Sequence, residues 1–419
     1  MPISYSTPGI YVEEVATGPR PIQALGTSTA GFVGVAPNPS KRLNEAVALH
    51  NWSQFVREFV GDMEPTQKPR TTSLAAAVFG FFQNGGSRCY VVNVGLDRNG
   101  QSNAIVSDGR ARQGLQALEP LDDVSIVAAP GYADITSYDA LLSHCERLKN
   151  RVAILDAPAD VDAARIDALT QVATAIATDQ SDDTDNATSD VNNIGLRPRQ
   201  SDSGYGAFYF PWITIQDPFA PKSTINVPPS GHVAGVYART DATRGVHKAP
   251  ANEPLRGALN LTYRVTHAEQ GPLNDAGVNC IRFFQGQGIR VWGGRTLADT
   301  SSEWRYINVR RLFCMIEASI AQGTRWVVFE PNDVPLWKAM RRDVSAFLTR
   351  LWQDGALMGV TPEEAFFVQC DAETNPPDVI NAGQLVMLIG VAPVKPAEFI
   401  IFRIGQYASG IDTEEATAG

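Results

Sequence analysis

The sequence predicts an α/β protein with more than one domain. Apolar runs with the composition of β-strands alternate with segments whose apolar residues recur at helical spacing. The chain has 419 residues, which is more than one small domain requires. Its hydrophobic fraction of 44% and charged fraction of 19% are those of a globular protein with ample material for its cores.

Composition and charge limit the partners. The formal net charge is −10, from 35 Lys and Arg against 45 Asp and Glu, so we expect no nucleic-acid partner. No basic region followed by an apolar run stands at the N-terminus, so no secretory signal is predicted. The longest apolar stretch, residues 385–394, is about half as long as a membrane span. We therefore expect a protein made in a reducing cytoplasm, with no direct membrane insertion.

The cysteines and histidines predict no metal and no cofactor. The five cysteines are an odd number without a CxxC pair, which argues against a disulfide framework and a zinc knuckle. The five histidines never form a pair at ligand spacing. Each cysteine lies in an apolar run, so we expect buried side chains. They are Cys89, Cys145, Cys280, Cys314 and Cys370.

We predict that residues 5–15 form an extended segment without a local partner. Tyr11, Val12 and Val15 favour strands, and Pro8 cannot donate a hydrogen bond to a neighbouring strand. No second strand follows at hairpin distance. This arm must therefore pair with a distant part of the chain or with another molecule.

Strands and helices alternate in the first half. We predict a strand over 30–36, a helix over 52–60 with Asn51 or Ser53 as N-cap, a helix over 71–84 and a strand over 89–94. Strands over 124–128 and 152–156 flank a helix over 137–148, which indicates a βαβ unit with parallel strands. A helix over 161–177 leads to an acidic loop over 178–191, which lacks the central Gly and closing Glu of a calcium loop.

The second half begins less regularly. We predict a strand over 208–215, a Pro-rich connector over 221–230 and a long loop over 242–259. Strands over 281–284 and 289–292 then flank a Gly-rich turn and form a hairpin. The last elements are helices over 306–321 and 334–353 and strands over 326–329, 385–391 and 398–403.

No catalytic motif is present, so we expect a protein that is not an enzyme. Gly286 and Gly288 begin like a dinucleotide loop, but they lie between two strands instead of opening a helix. The P-loop and HExxH patterns are absent. Ser28 lies in a stretch similar to the serine motif of subtilisin-type proteases, but it precedes every Asp and His, whereas that family has the order Asp, His, Ser.

Three long motifs resemble those of contractile tail sheath proteins, in the same order. The first joins YSTPGIYVEEV at 5–15 to GTSTAGFVG at 26–34, and the second is FFQNGGSRCYVV at 81–92. The third joins YINVRRLF at 306–313 to WVVFEPN at 326–332. This family is shared by phage tails, R-type bacteriocins and extracellular contractile injection systems.

The resemblance implies a discontinuous inner α/β sheath domain built from both chain ends, plus an outer subtilisin-like α/β domain without a catalytic triad. It implies an exchanged N-terminal arm, an N-terminal α/β part, the outer domain, a C-terminal sheath domain and an acidic tail. Their expected ranges are 1–22, 23–100, 101–275, 276–407 and 408–419.

The resemblance also implies a function and partners. Subunits of this family stack as hexameric rings around an inner tube, and contraction drives the tube through a target envelope. The expected partners are further copies, the inner tube protein, and baseplate and terminal cap proteins. We expect assembly in the cytoplasm into a phage tail or a released extracellular particle. The alternatives are a non-contractile initiator or cap of the same particle, or a subtilisin-like hydrolase.

Two sets of site residues follow from the resemblance and the charge pattern. Strand exchange between subunits is expected at Tyr5, Ile10, Tyr11, Val12, Val15, Phe399, Ile400, Ile401 and Phe402. Residues 276–350 carry eleven Lys and Arg against six Asp and Glu, a net charge of +5, which suggests an acidic partner surface. Contact with the inner tube is expected at Lys338, Arg341, Arg342 and Arg350.

Overall fold

Strands and helices alternate along the chain. The computed structural model describes residues 21–61, 71–97, 99–106, 112–174 and 195–401. The strands are β1 Ala30–Gly34, β2 Ala46–Leu49, β3 Cys89–Asn93, β4 Ile126–Ala128, β5 Val152–Asp156, β6 Gly206–Phe210, β7 Ile213–Gln216, β8 Thr224–Val227, β9 Glu253–Pro254, β10 Ala258–Leu261, β11 Val278–Phe284, β12 Gly288–Trp292, β13 Phe366–Gln369 and β14 Leu388–Val391. The helices are α1 Trp52–Phe55, α2 Ser73–Gln83, α3 Ile135–Leu148, α4 Ser230–Arg244, α5 His267–Asp275, α6 Ile307–Gly323, α7 Val334–Gln353, α8 Pro362–Ala365 and α9 Pro377–Asn381.

A large mixed sheet organises most of the described chain. Its strand order is β2-β3-β1-β4-β5-β6-β11-β12-β9. The six strands from β3 to β11 are parallel, and β2, β12 and β9 add antiparallel edges. Every residue of β1, β3, β5 and β6 is buried, as expected for parallel strands covered on both faces. The predicted α/β class is confirmed. The sheet takes strands from three of the predicted domains. The boundaries of those domains stay a prediction.

Elements with a clear period or cap are confirmed. β4, α3 and β5 form the predicted βαβ unit with parallel strands. The hairpin of β11 and β12 and the helices α6 and α7 lie where the apolar pattern places them. Asn51 is the N-cap of α1, because its side chain accepts a hydrogen bond from the Gln54 amide; π-helical residues Val56–Val60 extend this helix. All five cysteines are buried and unpaired, as predicted.

Several predicted elements are wrong. The helix predicted over 161–177 is, as far as residue 174, only a 3₁₀ turn at Ile166–Thr170, because Val172 pairs with Arg197 in an extended bridge. The strand predicted over 208–215 divides at Pro211 into β6 of the large sheet and β7 of a three-stranded sheet with β8 and β10. The predicted connector and loop contain β8, β9 and β10.

Helix α4 was not predicted, since two glycines interrupt its apolar pattern. These glycines let α4 lie directly on α2. A Cβ atom on Gly231 would lie 2.2 Å from Ala77 Cα, and one on Gly235 would lie 2.6 Å from the Phe81 carbonyl oxygen. The residues that lower helix propensity are therefore the ones that the tertiary contact requires.

A second core lies where α6 and α7 pack with the two-stranded sheet of β13 and β14. The apolar stripe predicted on α7 is buried, at Trp337, Met340, Val344, Phe347 and Leu351. Ile22 is buried in the same core, although it precedes the first strand of the large sheet. Segments near the two ends of the described chain, at Ile22 and Val391, therefore meet in this core.

Two predicted strands near this core are absent from the described residues. Residues 326–329 form a 3₁₀ turn at Arg325–Val327 followed by exposed Val328 and Phe329. Residues 398–401 form no strand, and 402–403 lie outside the described residues. Sequence reasoning also missed β13. Helix α7 covers one face of this strand, and β14 pairs with one of its edges.

We predict that Gly231→Ala lowers the free energy of unfolding by ~1–3 kcal/mol, because the added methyl group overlaps the α2 backbone. The matched control is Gly271→Ala in α5, where a Cβ would meet nothing within 4 Å. That variant should be neutral or more stable by up to ~1 kcal/mol. Urea unfolding of the unassembled subunits measures both, and equal stability of the two variants would contradict the close helix contact.

Candidate assembly surfaces

The C-terminal edge of the large sheet carries a structural acid and hydroxyl pair. Asp156 ends β5, and Ser230 begins α4. The Ser230 hydroxyl donates to Asp156 Oδ2 at 2.6 Å, and the Ser230 amide donates to Asp156 Oδ1 at 2.8 Å. The nearby α4 residue His232 is buried, and its ring has no hydrogen-bond partner among the described residues. The pair thus attaches α4 to the sheet, and no described imidazole relays a proton to Ser230.

A buried Arg connects the two cores. Arg311 of α6 donates to both carboxylate oxygens of Asp241 on α4, at 2.9 and 2.5 Å. It also donates to the Thr27 carbonyl oxygen at 2.9 Å, and the Thr27 hydroxyl donates to Asp241 Oδ2 at 2.5 Å. The guanidinium carbon lies 4.7 Å from the centre of the Tyr237 ring. This Arg311 junction joins α6, α4 and the segment that leads into β1.

The described chain begins at the second core. Arg350 of α7 donates to the Ile22 carbonyl oxygen at 2.5 Å, and the Leu25 amide donates to Ser319 Oγ at 2.9 Å. The exchange residues predicted in the arm, Tyr5, Ile10, Tyr11, Val12 and Val15, lie outside the described residues. Arg350 is exposed, yet it already holds the base of the arm.

The C-terminal segment is also anchored at its base. Glu398 forms a charge-assisted hydrogen bond with buried Arg295, at 3.0 Å to Nε and 2.7 Å to Nη2. Beyond this anchor Phe399, Ile400 and Ile401 are 73%, 75% and 80% exposed. Phe402, the last predicted exchange residue, lies outside the described residues. Three adjacent apolar side chains thus stand in solvent directly after a fixed point.

The two-stranded sheet of β13 and β14 has one buried and one open face. Its inner side chains pack on the second core, at Phe366, Val368, Ile389 and Val391. On the outer face Phe367 and Leu388 are about half exposed. No third described strand pairs with β13 or β14, so each strand keeps one edge that can accept another strand.

The solvent face of α7 is basic. Lys338, Arg341 and Arg342 are exposed on the side away from the buried stripe. Arg342 Nε lies 3.1 Å from Asp343 Oδ1. Neither Lys338 nor Arg341 has an ion-pair partner within the described part of the chain. In the described ranges no helix is both long and apolar enough to cross a membrane.

We expect the stability of the subunit to fall as the pH rises through the titration of Asp156. Burial raises the pKa of Asp156 to about 7. Between about pH 4 and pH 7 the unfolded chain has released this proton while the folded chain keeps it, so the free energy of unfolding decreases with pH and then levels off. Asp156→Asn should flatten this profile. The free energy of unfolding of the variant, measured relative to the wild type, should therefore be ~2–4 kcal/mol higher at pH 8 than at pH 4.5. Urea unfolding across this range checks it, and parallel profiles would contradict it.

We predict that Arg311→Met lowers the free energy of unfolding by ~3–5 kcal/mol, because it leaves the Asp241 carboxylate buried without its cation. Adding Asp241→Leu should recover a large part of the loss, since the unpaired charge is then removed as well. The control is Arg325→Ala, which breaks the exposed pair with Asp122 and should change stability by less than ~1 kcal/mol. Equal effects of the buried and exposed changes would contradict the central place of the Arg311 junction.

Comparison with known proteins identifies the family of this chain. Residues 111–297 match the phage tail sheath protein central domain, and residues 299–406 match the phage tail sheath C-terminal domain. A tail sheath protein of Vibrio phage KVP40 is 29% identical over 192 residues, 45% of this chain. The match covers 28% of that relative's length, so the chain spans about a quarter of that relative.

Solved structures match nearly the whole chain. The sheath complex of an extracellular contractile injection system (PVC) in its contracted state has a TM-score of 0.72 and 31% identity, covering 97% of this chain and 99% of that one. A chain of the anti-feeding prophage baseplate has a TM-score of 0.68 and 30% identity, covering 97% and 100%. The predicted resemblance is therefore confirmed: the chain belongs to the contractile tail sheath protein family.

Proposed function

We propose that this chain is the subunit of a contractile sheath that stacks as hexameric rings around an inner tube and shortens to drive the tube through a target envelope. Its partners are further copies, the inner tube protein, and baseplate and terminal cap proteins. It assembles in the cytoplasm and becomes part of a phage tail or a released contractile particle. The chain serves as structure and not as an enzyme, with an outer subtilisin-like domain on a discontinuous inner sheath domain.

One observation carries the proposal: the described chain is anchored close to each of its ends, at Ile22 on the second core and at Glu398 on Arg295, and the second core carries a sheet with open edges. Arg350 and Ser319 hold the base of the arm, and Arg295 holds Glu398 before the exposed segment 399–401. An extended segment that leaves an anchored base can reach a neighbouring copy without unfolding its own domain.

The acceptor is the two-stranded sheet of β13 and β14. Strand addition satisfies backbone hydrogen bonds at an open edge and places alternate side chains on the two faces. Phe399 and Ile401 would then share one face, and Ile400 and Phe402 the other. Two open edges accept two strands, so one subunit can receive the arm of one neighbour and the C-terminal strand of another. Each exchanged strand acts as a tether about which rigid subunits rotate.

Stored conformational free energy is the source of work in this proposal. The sequence contains no P-loop, so nucleotide hydrolysis is not the expected source. The extended sheath would be a metastable packing that relaxes to one with more buried surface. The strands stay paired during this change, and the relative orientation of the bodies is what differs.

The basic face of α7 is the proposed contact with the inner tube. Lys338 and Arg341 have no ion-pair partner among the described residues, and Arg342 and Arg350 extend the positive surface. An acidic surface on the tube would supply the missing partners and would orient the tube within the ring. The contact should weaken with salt, because the groups are exposed.

Deletion of residues 1–15 tests strand exchange. The truncated chain should fold with an unchanged Tm, because the first described anchors are Ile22 and Leu25, but it should form no tubes in negative-stain microscopy. Deletion of the acidic tail 408–419 is the matched control and should leave tube formation intact. Tubes of normal length from the chain that lacks 1–15 would refute strand exchange by the arm.

A further inference from the structure

An exposed apolar knob, Val328 and Phe329, stands in the middle of the connection from α6 to α7. Phe329 is 101% exposed and Val328 is 64% exposed. The Phe329 backbone has a φ of 71°, a left-handed conformation that a bulky residue rarely adopts. This arrangement does not stabilise the isolated subunit, because an aromatic ring in water and a strained backbone both cost free energy.

Side-chain hydrogen bonds fix the chain that directly follows the knob. Asn332 donates from Nδ2 to the Gln384 carbonyl oxygen at 2.7 Å, and its Oδ1 accepts from the indole nitrogen of buried Trp337 at 2.7 Å. Asp333 caps α7 by accepting from the Leu336 amide at 3.0 Å. These bonds restrain the chain that follows Phe329, so less backbone entropy is lost when the ring is used as an interface anchor.

The knob continues into the basic face of α7. Val334, Lys338 and Arg341 are spaced at i, i+4 and i+7, so they follow one stripe of the helix, and Val334 is about half exposed. The surface is therefore apolar at the start of α7 and positively charged along its next two turns. The complementary partner has an apolar pocket bordered by carboxylates.

We propose that Phe329 is the apolar anchor of this surface and inserts into a pocket on the acidic face of the inner tube. This inference rests on the proposed tube contact and extends it from charge alone to a specific anchor. The buried stripe of α7 packs against the inner face of β13, whose open edge is the proposed site for neighbouring copies. The exposed stripe of α7 faces away from that sheet, so it is available to a different partner.

The test uses the full chain, produced with and without the inner tube protein of the same particle. Phe329→Asn removes the ring, and Asn tolerates the left-handed backbone. We expect tube retained in sedimented sheaths to fall about tenfold or more. The Tm of the unassembled subunit should stay equal or rise, and polymers formed without tube protein should keep their length. Leu259→Asn, another exposed apolar position on β10, is the control and should retain tube normally.

A second variant, Lys338→Glu with Arg341→Glu, separates this inference from the proposed tube contact. Loss of tube in the charge variant with normal retention in Phe329→Asn would overturn the anchor and keep the basic contact. Loss in Phe329→Asn alone would support the anchor and overturn the basic contact. Normal retention in both would overturn both. Shortened polymers of Phe329→Asn without tube protein would assign the knob to a contact between copies and overturn the inference.

Discussion

The Arg311 junction is the interaction on which the rest of the structure depends. It joins α6, which begins the second core, to α4, which the Asp156 and Ser230 pair fixes to the large sheet. Its third partner is Thr27, in the segment between the arm and β1. A buried ion pair needs all its partners in place, because any one left alone keeps an uncompensated charge or dipole. The junction therefore makes the large sheet, the second core and the N-terminal segment adopt their positions together.

This arrangement divides the subunit into a rigid body and a set of attachments. The large sheet is buried on its central strands and offers no open parallel edge, since antiparallel strands flank it on both sides. The arm base and the sheet of β13 and β14 instead lie at the second core, and the Arg295 and Glu398 anchor lies beside α5 and β11. In the proposed assembly, force on the arm would pass through Arg350 and Ser319 into α7 and α6, and then through Arg311 to α4. Force on the C-terminal strand would pass through Glu398 to Arg295, which is bonded to Asn279 of the large sheet.

Most of the large apolar residues that are exposed lie in the C-terminal part of the described chain. Phe329, Phe367, Leu388 and residues 399–401 all belong to the C-terminal part, and each lies next to a fixed backbone or a hydrogen-bonded anchor. Clusters of exposed apolar surface of this kind mark interaction sites more often than chance exposure. In the proposed assembly, neighbouring chains would bury this surface.

The sequence by itself determined the class of fold and the family. Periodic runs located α3, α6 and α7, the alternation of runs located the parallel strands, and Asn51 marked a helix start, because these signals depend on neighbours within a few residues. The motif that contains Arg310 and Arg311 was visible, but its role was not. That role depends on Asp241, which is distant in sequence.

Only the tertiary structure decided the remainder. Helix α4 exists because α2 accepts its two glycines, and the apolar residues 326–329, which have the composition of a strand, lie in an exposed turn because Asn332 and Asp333 fix the chain to α7. Residues 399–401 also have the composition of a strand, but they pair with no strand in the described part of their own subunit. Local propensity shows that a segment can be a strand, and the available partner decides whether and where it becomes one.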